Sequence, residues 1–336
     1  MNIAIVGATG NVGRKIIEVL EKKNFPISEL YLIASSKSSG KKISFRGKEL
    51  IVIDLEKFDF SKVKIAFFAA GSSIAEKWAY KAAEKTIVID NSKFFRKDPD
   101  IPLVVPEVNS KELVHVKNKN IIANANCSVI PLVVALKPLH DLYIVKRIVV
   151  STYQSVSGAG KAPMDELLTQ TKEYFDKKNL QSKHFTKQIA FNVIPHIDSF
   201  LENGNTKEEQ KTIDEVKKIL DKKIKITSTC VRIPVLVSHC ISANVEFDKK
   251  YNLEEIKNVL STSPGCKVVD EHKDGGYITP VEAENKYETF ISRIRKDDSQ
   301  SNSINLWVVS DNLLKGAALN AVEIAESLIK KNLHER

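Results

Sequence analysis

The sequence predicts an α/β chain in two parts: a doubly wound parallel-sheet domain, then an α+β domain with a mixed or antiparallel sheet. Three observations predict it. The first 125 residues alternate continuous apolar runs with helical spacing, the pattern of a parallel sheet covered on both faces. The middle of the chain turns to long β-branched stretches with amphipathic segments between them. The length of 336 residues exceeds what one core usually organises.

Element by element, "NIAIVGA" reads as a buried strand and "NVGRKIIEVLEKKN" as a helix. "ELYLIAS" and "KIAFFAA" are the next strands, "SIAEKWAYKAAEK" a helix and "TIVIDNS" a fourth strand. From "VKRIVVSTYQSVSGAG" the chain is richer in β signals. "TSTCVRIPVLVSHCISANVEF" reads as one long, roughly alternating stretch, and "SINLWVVSD" as a further strand. Residues 207–220 and 253–260 have helical spacing, and "LLKGAALNAVEIAESLIKKN" is a strong amphipathic helix. "ENGNTKEEQ" and "EHKDGG" read as exposed loops.

Composition narrows the class. Hydrophobic residues make up 43% and charged residues 28%, ordinary values for a soluble globular chain. No apolar run reaches about 18 residues, so no membrane span is expected. The start "MNIAIVGATG" reads as a strand and lacks a signal-peptide pattern, so a cytoplasmic location is expected. The net charge of +9 comes from lysines interspersed with acids, as in "EVKKILDKKIK". That is a solvated surface, not a nucleic-acid footprint, although phosphorylated ligands gain from the positive field. The cysteines, Cys127, Cys230, Cys240 and Cys266, form no CxxC pair. This argues against a zinc site, and the compartment argues against disulfides.

The motif "GATGNVG" places Gly7, Gly10 and Gly13 between a strand and a helix. Glycines there permit a tight turn and close approach of backbone to a pyrophosphate at the helix N-terminus. A Rossmann-type nucleotide domain follows, against the alternative of a plain βα turn. An NAD-preferring domain usually ends its second strand with a carboxylate on the ribose hydroxyls. Here the strand runs into Ser35, Ser36, Lys37, Ser38 and Ser39. Hydroxyls and an ammonium suit a 2′-phosphate, which favours NADP; an ordinary Ser-rich loop is the alternative.

Cys127 sits in "NANCSVIPLV". Pro131, four residues on, is tolerated only in a first helical turn, so the thiol lies at or near a helix N-terminus. The helix dipole favours a thiolate there. Asn124 and Asn126 beside it indicate a polar pocket, whereas a small buried cysteine is the other reading. Of seven histidines, His115, His140, His184, His272 and His334 have surface contexts, and His196 in "VIPHID" reads as structural. His239 and Arg232 lie on the long β stretch. An Arg at one end could hold a carboxylate while the His at the other serves the thiol. A satisfied core histidine stays open at this point. Arg96, in "NSKFFRKDPDIPLVVPEVN", follows a strand end where open α/β sheets bind ligands.

With Cys127, Gln154, Arg232 and His239 in view, the chain resembles the aspartate-semialdehyde dehydrogenase family nearly end to end. The segments that carry the resemblance are "GATGNVG", "DNSKFFRKDPDIPLVVPEVN", "NANCSVIPLVVALKPL", "STYQSVSGAGKAPMDEL", "CVRIPVLVSH" and "DNLLKGAALNAVEIAE". The resemblance implies Cys127 as the acyl-forming nucleophile, His239 as acid/base and Gln154 as the group orienting the thioester. It implies Asn126 beside the phosphate, Arg96 on the phosphoryl group, Arg232 on the substrate α-carboxylate, and Glu208 and Lys211 on the substrate amino group and the anionic end of the site. It implies cofactor contacts from Gly7, Thr9, Gly10, Asn11, Val12 and Gly13, from the Ser35, Ser36, Lys37, Ser38 loop, and from Gly71, Ser157, Gly158 and Asn312. No metal is implied.

The implied domains are 1–127, completed by a C-terminal helix over 312–336, and a catalytic and dimerisation domain over 128–311. Homodimers or homotetramers pairing through the second domain are implied, with small-molecule partners and neither nucleic acid nor membrane. The reaction the resemblance implies is the reductive dephosphorylation of 4-phospho-L-aspartate to L-aspartate 4-semialdehyde, in lysine, threonine, methionine and diaminopimelate biosynthesis. One departure stands out. The family often carries Arg where this chain has Lys37, which keeps the charge but loses the planar fork. Among rivals, N-acetyl-glutamyl-phosphate reductase usually has an aromatic after its cysteine, where this chain reads "NANCSVI". Glyceraldehyde-phosphate dehydrogenase differs around the thiol. A non-catalytic NADP sensor would not need Cys127, Gln154, His239 and two arginines together.

Overall fold

The computed structural model describes residues 1–334 and divides into two compact units. The first comprises Met1–Ala125 and the C-terminal stretch from Ala317; the second is Asn126–Gly316.

The first unit is built on eight strands: β1 (Ile3–Val6), β2 (Leu30–Ala34), β3 (Lys42–Phe45), β4 (Lys48–Asp54), β5 (Ile65–Phe68), β6 (Ile87–Asp90), β7 (Leu103–Val104) and β8 (Ile121–Asn124). Their order is β3-β4-β2-β1-β5-β6-β8-β7. Every pairing is parallel except the β3–β4 hairpin. β1, β5, β6 and β8 are buried along their whole length, as a sheet covered on both faces requires. Helices α1 (Asn11–Lys22), α2 (Ser72–Ala83) and the short α3 (Pro106–Asn109) belong to this unit. The C-terminal helix, Leu319–Lys330, packs on α1 and α3.

Four of these strands are not visible in the sequence pattern. β3 and β4 form an edge hairpin whose turn, Arg46-Gly47, has both residues at positive φ, +50° and +73°. Its lysines and glutamates face solvent, so the apolar count stays low. β7 is two residues long, and β8 is the four-residue run just before the cysteine motif. The C-terminal helix is also shorter than expected. A π-helical stretch, Leu314–Ala318, precedes it, and residues 335–336 lie outside the described residues.

The second unit begins with α4 (Val129–Tyr143), followed by β9 (Val145–Gln154), α5 (Lys161–Phe175), α6 (Lys207–Ile219), β10 (Lys225–Arg232), β11 (His239–Phe247), α7 (Leu253–Thr262), β12 (Cys266–Val268), β13 (Thr289–Lys296) and β14 (Ser303–Ser310). The six strands form a mixed sheet in the order β10-β9-β11-β14-β13-β12. α4 is buried over most of its surface and packs on the sheet, α6 and α7.

The stretch read from sequence as one long strand is two. Pro234 cannot donate to a ladder. The chain therefore leaves the sheet after Arg232 and re-enters at His239 on the far side of β9. This break positions the site. Gln154 and Arg232 are the paired last residues of parallel β9 and β10. His239 is the first residue of β11, which runs antiparallel to β9 with Cys240 opposite Tyr153. All three residues thus lie at the same end of their adjacent strands.

Candidate active site

Cys127 lies two residues ahead of α4, and Pro131 occupies the first turn of that helix. The turn is held by two contacts. Asn126 Oδ1 accepts from the Ser128 N–H at 2.8 Å, and the Asn126 N–H donates to the buried Glu215 carboxylate at 2.6 Å. The thiol is half-buried, and its Sγ is 3.3 Å from His239 Nε2.

His239 is 1% exposed. Its Nδ1 receives the Ser155 N–H at 3.0 Å, and the Ser155 hydroxyl is 3.1 Å from the same nitrogen. Burial, reinforced by the Arg232 charge and opposed by Glu208, pushes its pKa down to about 3. The imidazole is neutral at physiological pH. Arg232, also buried, donates from Nη1 to the Ser155 carbonyl at 2.6 Å. Gly158 completes this wall: a Cβ there would lie 3.2 Å from the imidazole and 3.3 Å from the guanidinium.

A second polar network runs from α6. Glu208 Oε1 accepts from Asn126 Nδ2 at 2.8 Å and Gln154 Nε2 at 3.3 Å. Its other oxygen pairs with Lys211 at 2.9 Å, and Lys211 also reaches Asp198 at 2.7 Å. Burial pushes the Glu208 pKa up, but the Lys211 ammonium and these hydrogen bonds outweigh it and hold the carboxyl below its usual range. Asn312 Oδ1 accepts from Ser155 Oγ, Ser157 Oγ and the Ser238 N–H, at 3.1, 3.1 and 2.8 Å.

The second unit therefore brings together Cys127, His239, Gln154, Asn126, Glu208, Lys211 and Arg232, with Ser157, Gly158 and Asn312 around the histidine. Arg96 belongs to the first unit, where its Nη2 donates to the Asn91 carbonyl at 3.1 Å. Ser155, Ser238 and Glu215 were not singled out from sequence. Ser238 acts through its main-chain N–H and Ser155 through its N–H and carbonyl as well as its hydroxyl, and residue type does not reveal the main-chain contacts. Glu215 had a signal: it lies seven residues after Glu208, hence on the same helical face. The surface reading of His140 also needs correction, since it is half-buried and 3.7 Å from Asp221. His334 is half-buried too. Cys230 and Cys240 are buried, whereas Cys266 is only half-buried and so is not a core residue.

In the first unit, residues 7–10 join β1 to α1, and Gly13 lies in the first turn of the helix; Thr9, Gly10, Asn11 and Val12 are partly or fully exposed. Gly7 has φ +88°, and a Cβ on it would meet the Ala69 carbonyl oxygen at 2.6 Å. A Cβ on Gly13 would meet the Gly7 carbonyl oxygen at 2.2 Å. The loops after β1 and β5, the point where strand order reverses, therefore run in backbone contact. No side chain caps α1, and its first turn carries no acid. This glycine cradle and uncapped positive helix end fit a dinucleotide pyrophosphate. Gly71, at φ +86°, caps α2 beside it. The Ser35–Ser38 segment forms an exposed 3-10 turn after β2.

Comparisons with known proteins match both halves of the chain. A family model described as semialdehyde dehydrogenase, NAD binding domain, matches residues 2–116. One described as semialdehyde dehydrogenase, dimerisation domain, matches residues 136–315. The chain is 50% identical to an aspartate-semialdehyde dehydrogenase of Aquifex aeolicus, over 98% of each chain. It is 48% identical to that of Rickettsia bellii, over 99% of this chain and 98% of the other. A crystal structure of Vibrio cholerae aspartate semialdehyde dehydrogenase II complexed with ASA superposes with a TM-score of 0.96 at 47% identity, covering 98% of each chain. A nicotinamide-binding domain, a thiol paired with a buried histidine and full-length relatives at this identity agree: the chain belongs to the aspartate-semialdehyde dehydrogenase family.

Proposed function

We propose that this enzyme carries out the reductive dephosphorylation of 4-phospho-L-aspartate to L-aspartate 4-semialdehyde, with NADP as cofactor and Cys127 as nucleophile. The observation that carries the reading is the 3.3 Å approach of Cys127 Sγ to His239 Nε2, at the end of the sheet that also presents Gln154 and Arg232.

The Cys127 thiolate attacks the acyl-phosphate carbon. A C–S bond forms, the C–O bond to phosphate breaks, and the substrate is held as a thioester. The nicotinamide, when bound, supplies the hydride that reduces it. The tetrahedral adduct on Cys127 then collapses, its C–S bond breaks, and the aldehyde leaves with the thiolate regenerated. His239 serves as the acid/base at the reacting oxygen, and Gln154 orients the carbonyl. Arg232 clamps the α-carboxylate, Glu208 receives the α-ammonium, and Lys211, Arg96 and Asn126 serve the phosphate. Glu208 and Lys211 already form a charge pair, 2.9 Å apart, whose two members the substrate ammonium and phosphate can take as partners.

The glycine loop and Gly71 hold the pyrophosphate, and the Ser35–Ser38 segment with Lys37 holds the 2′-phosphate. Ser157, Gly158 and Asn312 attend the nicotinamide. Domain boundaries near 127 and 312, pairing as a dimer or tetramer through the second unit, and a cytoplasmic site of amino-acid biosynthesis complete the reading. Four free cysteines suit a reducing compartment.

The test is phosphate-dependent reduction of NADP by L-aspartate semialdehyde, with NAD and N-acetyl-glutamate semialdehyde run in parallel. Turnover that requires phosphate and is abolished by Cys127→Ser is expected. Near-normal turnover in a folded Cys127→Ser variant would end the nucleophile assignment. Binding of NADP without turnover of either aldehyde would turn the reading toward a sensor.

A further inference from the structure

Lys211 is held between two carboxylates, and only one of them has a place in the reaction proposed above. Its ammonium donates to Glu208 Oε2 at 2.9 Å and to Asp198 Oδ2 at 2.7 Å. An ammonium carries three hydrogens, so two of the three go to carboxylates. Glu208 is buried on the same helix. The Asp198 side chain is 25% exposed, on the loop before α6, and so is open to a ligand arriving from solvent.

The loop keeps that carboxylate in place. Before it, Ile194 and Arg232 exchange both main-chain hydrogen bonds, at 2.9 and 2.8 Å. After it, the Lys207 N–H at the start of α6 donates to the Ser199 carbonyl at 2.8 Å. Between these anchors Asp198 stands at φ +68°, a left-handed conformation that Asp tolerates better than most residues. Its Oδ1 accepts from the Ser199 N–H at 2.9 Å, and its Oδ2 grips Lys211.

We propose that Asp198 stands in for the phosphate at Lys211: its carboxylate holds the ammonium in the empty site, competes with phosphate for it, and reclaims it as phosphate leaves. This deepens the reading that Lys211 serves the phosphate, and rests on it.

The charges carry the argument. Once Glu208 is matched to the substrate ammonium, Lys211 and Asp198 remain as a neutral pair. An incoming phosphate either displaces the Asp198 carboxylate or sits beside it, and like charges that close repel in a partly buried site. The two anchors hold the loop against α6 and β10, so the carboxylate stays near while phosphate is bound. That suits the order of bond changes. A phosphate retained beside the thioester would attack it, expel Cys127 and re-form the acyl phosphate. A carboxylate that reclaims Lys211 weakens the hold on phosphate at that point.

The experiment titrates inorganic phosphate into the full chain with NADP present, by calorimetry, for wild type, Asp198→Asn and Glu202→Gln. Asn keeps the shape of Asp and also tolerates the left-handed backbone. Glu202 is an exposed acid on the same loop and controls for a general change of charge. Asp198→Asn is expected to bind phosphate at least about threefold more tightly, with Glu202→Gln close to wild type. The KM for phosphate in NADP reduction is expected to fall in step, with KM for the aldehyde changed by less than about twofold. A loss of folding alone would not produce that split. Phosphate binding that is unchanged or weaker in Asp198→Asn overturns the competition, as does an equal gain in Glu202→Gln. The titration needs no turnover. Phosphate bound by wild type but unaffected by Asp198→Asn sinks this inference alone, whereas neither phosphate binding nor turnover in wild type sinks the reading beneath it as well.

Discussion

The Asn126 N–H donates to the carboxylate of Glu215 across 2.6 Å, and Glu215 is itself buried. A carboxylate on α6 thus fixes the backbone one residue before the nucleophile. Glu208 fixes the Asn126 side chain from the same helix face. α6 is polar in sequence yet buries three acids: Glu208 and Glu215 bond the nucleophile turn, and Glu209 caps its own helix and accepts from the Cys230 N–H.

Glu215→Ala leaves the Asn126 N–H without this acceptor. A buried donor that loses its partner costs about 1–3 kcal/mol. The expected outcome is a lower urea midpoint, together with a kcat loss larger than any change in KM. Urea unfolding followed by steady-state kinetics reads both. A variant that keeps kcat while losing stability would mean that Glu215 supports the fold and not the position of Cys127.

Ser238 stands next to His239 at φ +75°, fully buried, with its N–H on Asn312 Oδ1. A left-handed conformation costs a residue bearing a Cβ about 1–2 kcal/mol. Ser238→Gly removes that strain and a buried hydroxyl oxygen that has no partner. The added freedom of the unfolded chain offsets about 0.4–1 kcal/mol. A net gain of roughly 0.5–1 kcal/mol is expected, measured as a raised thermal midpoint. A lowered midpoint would show that the serine is needed here.

How much of this was legible in the sequence follows from what each feature depends on. β1, β2, β5 and β6 are apolar runs, and the glycine turn is written in residue type, so both could be read directly. Cys127 was found because Pro131 restricts where a helix can begin. The β3–β4 hairpin was hidden by its lysines, and the split at Pro234 by the β-branched residues around it. At the site, Arg232 and His239 were legible as polar residues on a long β stretch, whereas Gln154 was found through a family resemblance. The main-chain donors that hold His239 and the nucleophile turn were not, because the N–H groups of Ser155 and Asn126 look the same in every residue.

Asp90 ends β6 with its carboxyl buried, and burial pushes its pKa up to about 6 against the pull of Ser92 and Arg96. The unfolded value is about 3.9. The folded chain therefore holds the proton more tightly. The stability this contributes is full below the unfolded pKa and lost as pH rises through about 6. Asp90→Asn has no such ionisation. The stability of the variant relative to wild type is expected to improve by roughly 2–3 kcal/mol between pH 4 and pH 7.5. Urea titrations at the two pH values check it; a constant difference would mean that Asp90 ionises normally in the folded protein.

Gly316 lies on the π-helical stretch against the nucleophile turn. A Cβ built on it would stand 3.0 Å from the Cys127 carbonyl oxygen, 3.1 Å from its Cβ and 3.2 Å from its Cα. These are backbone or near-backbone atoms, which cannot swing aside as a side-chain tip can. Its φ lies outside the left-handed region, so Gly316→Ala tests space and not backbone freedom. The turn must yield by a few tenths of an ångström. Displacements near 1 Å at a reacting centre cost about a hundredfold. A fall in kcat of about tenfold is therefore expected, with stability changed by less than about 2 kcal/mol. Kinetics paired with urea unfolding separates the two. Full kcat in Gly316→Ala would show that the turn carrying Cys127 is free to shift, and that its tight packing contributes nothing to the position of the thiol.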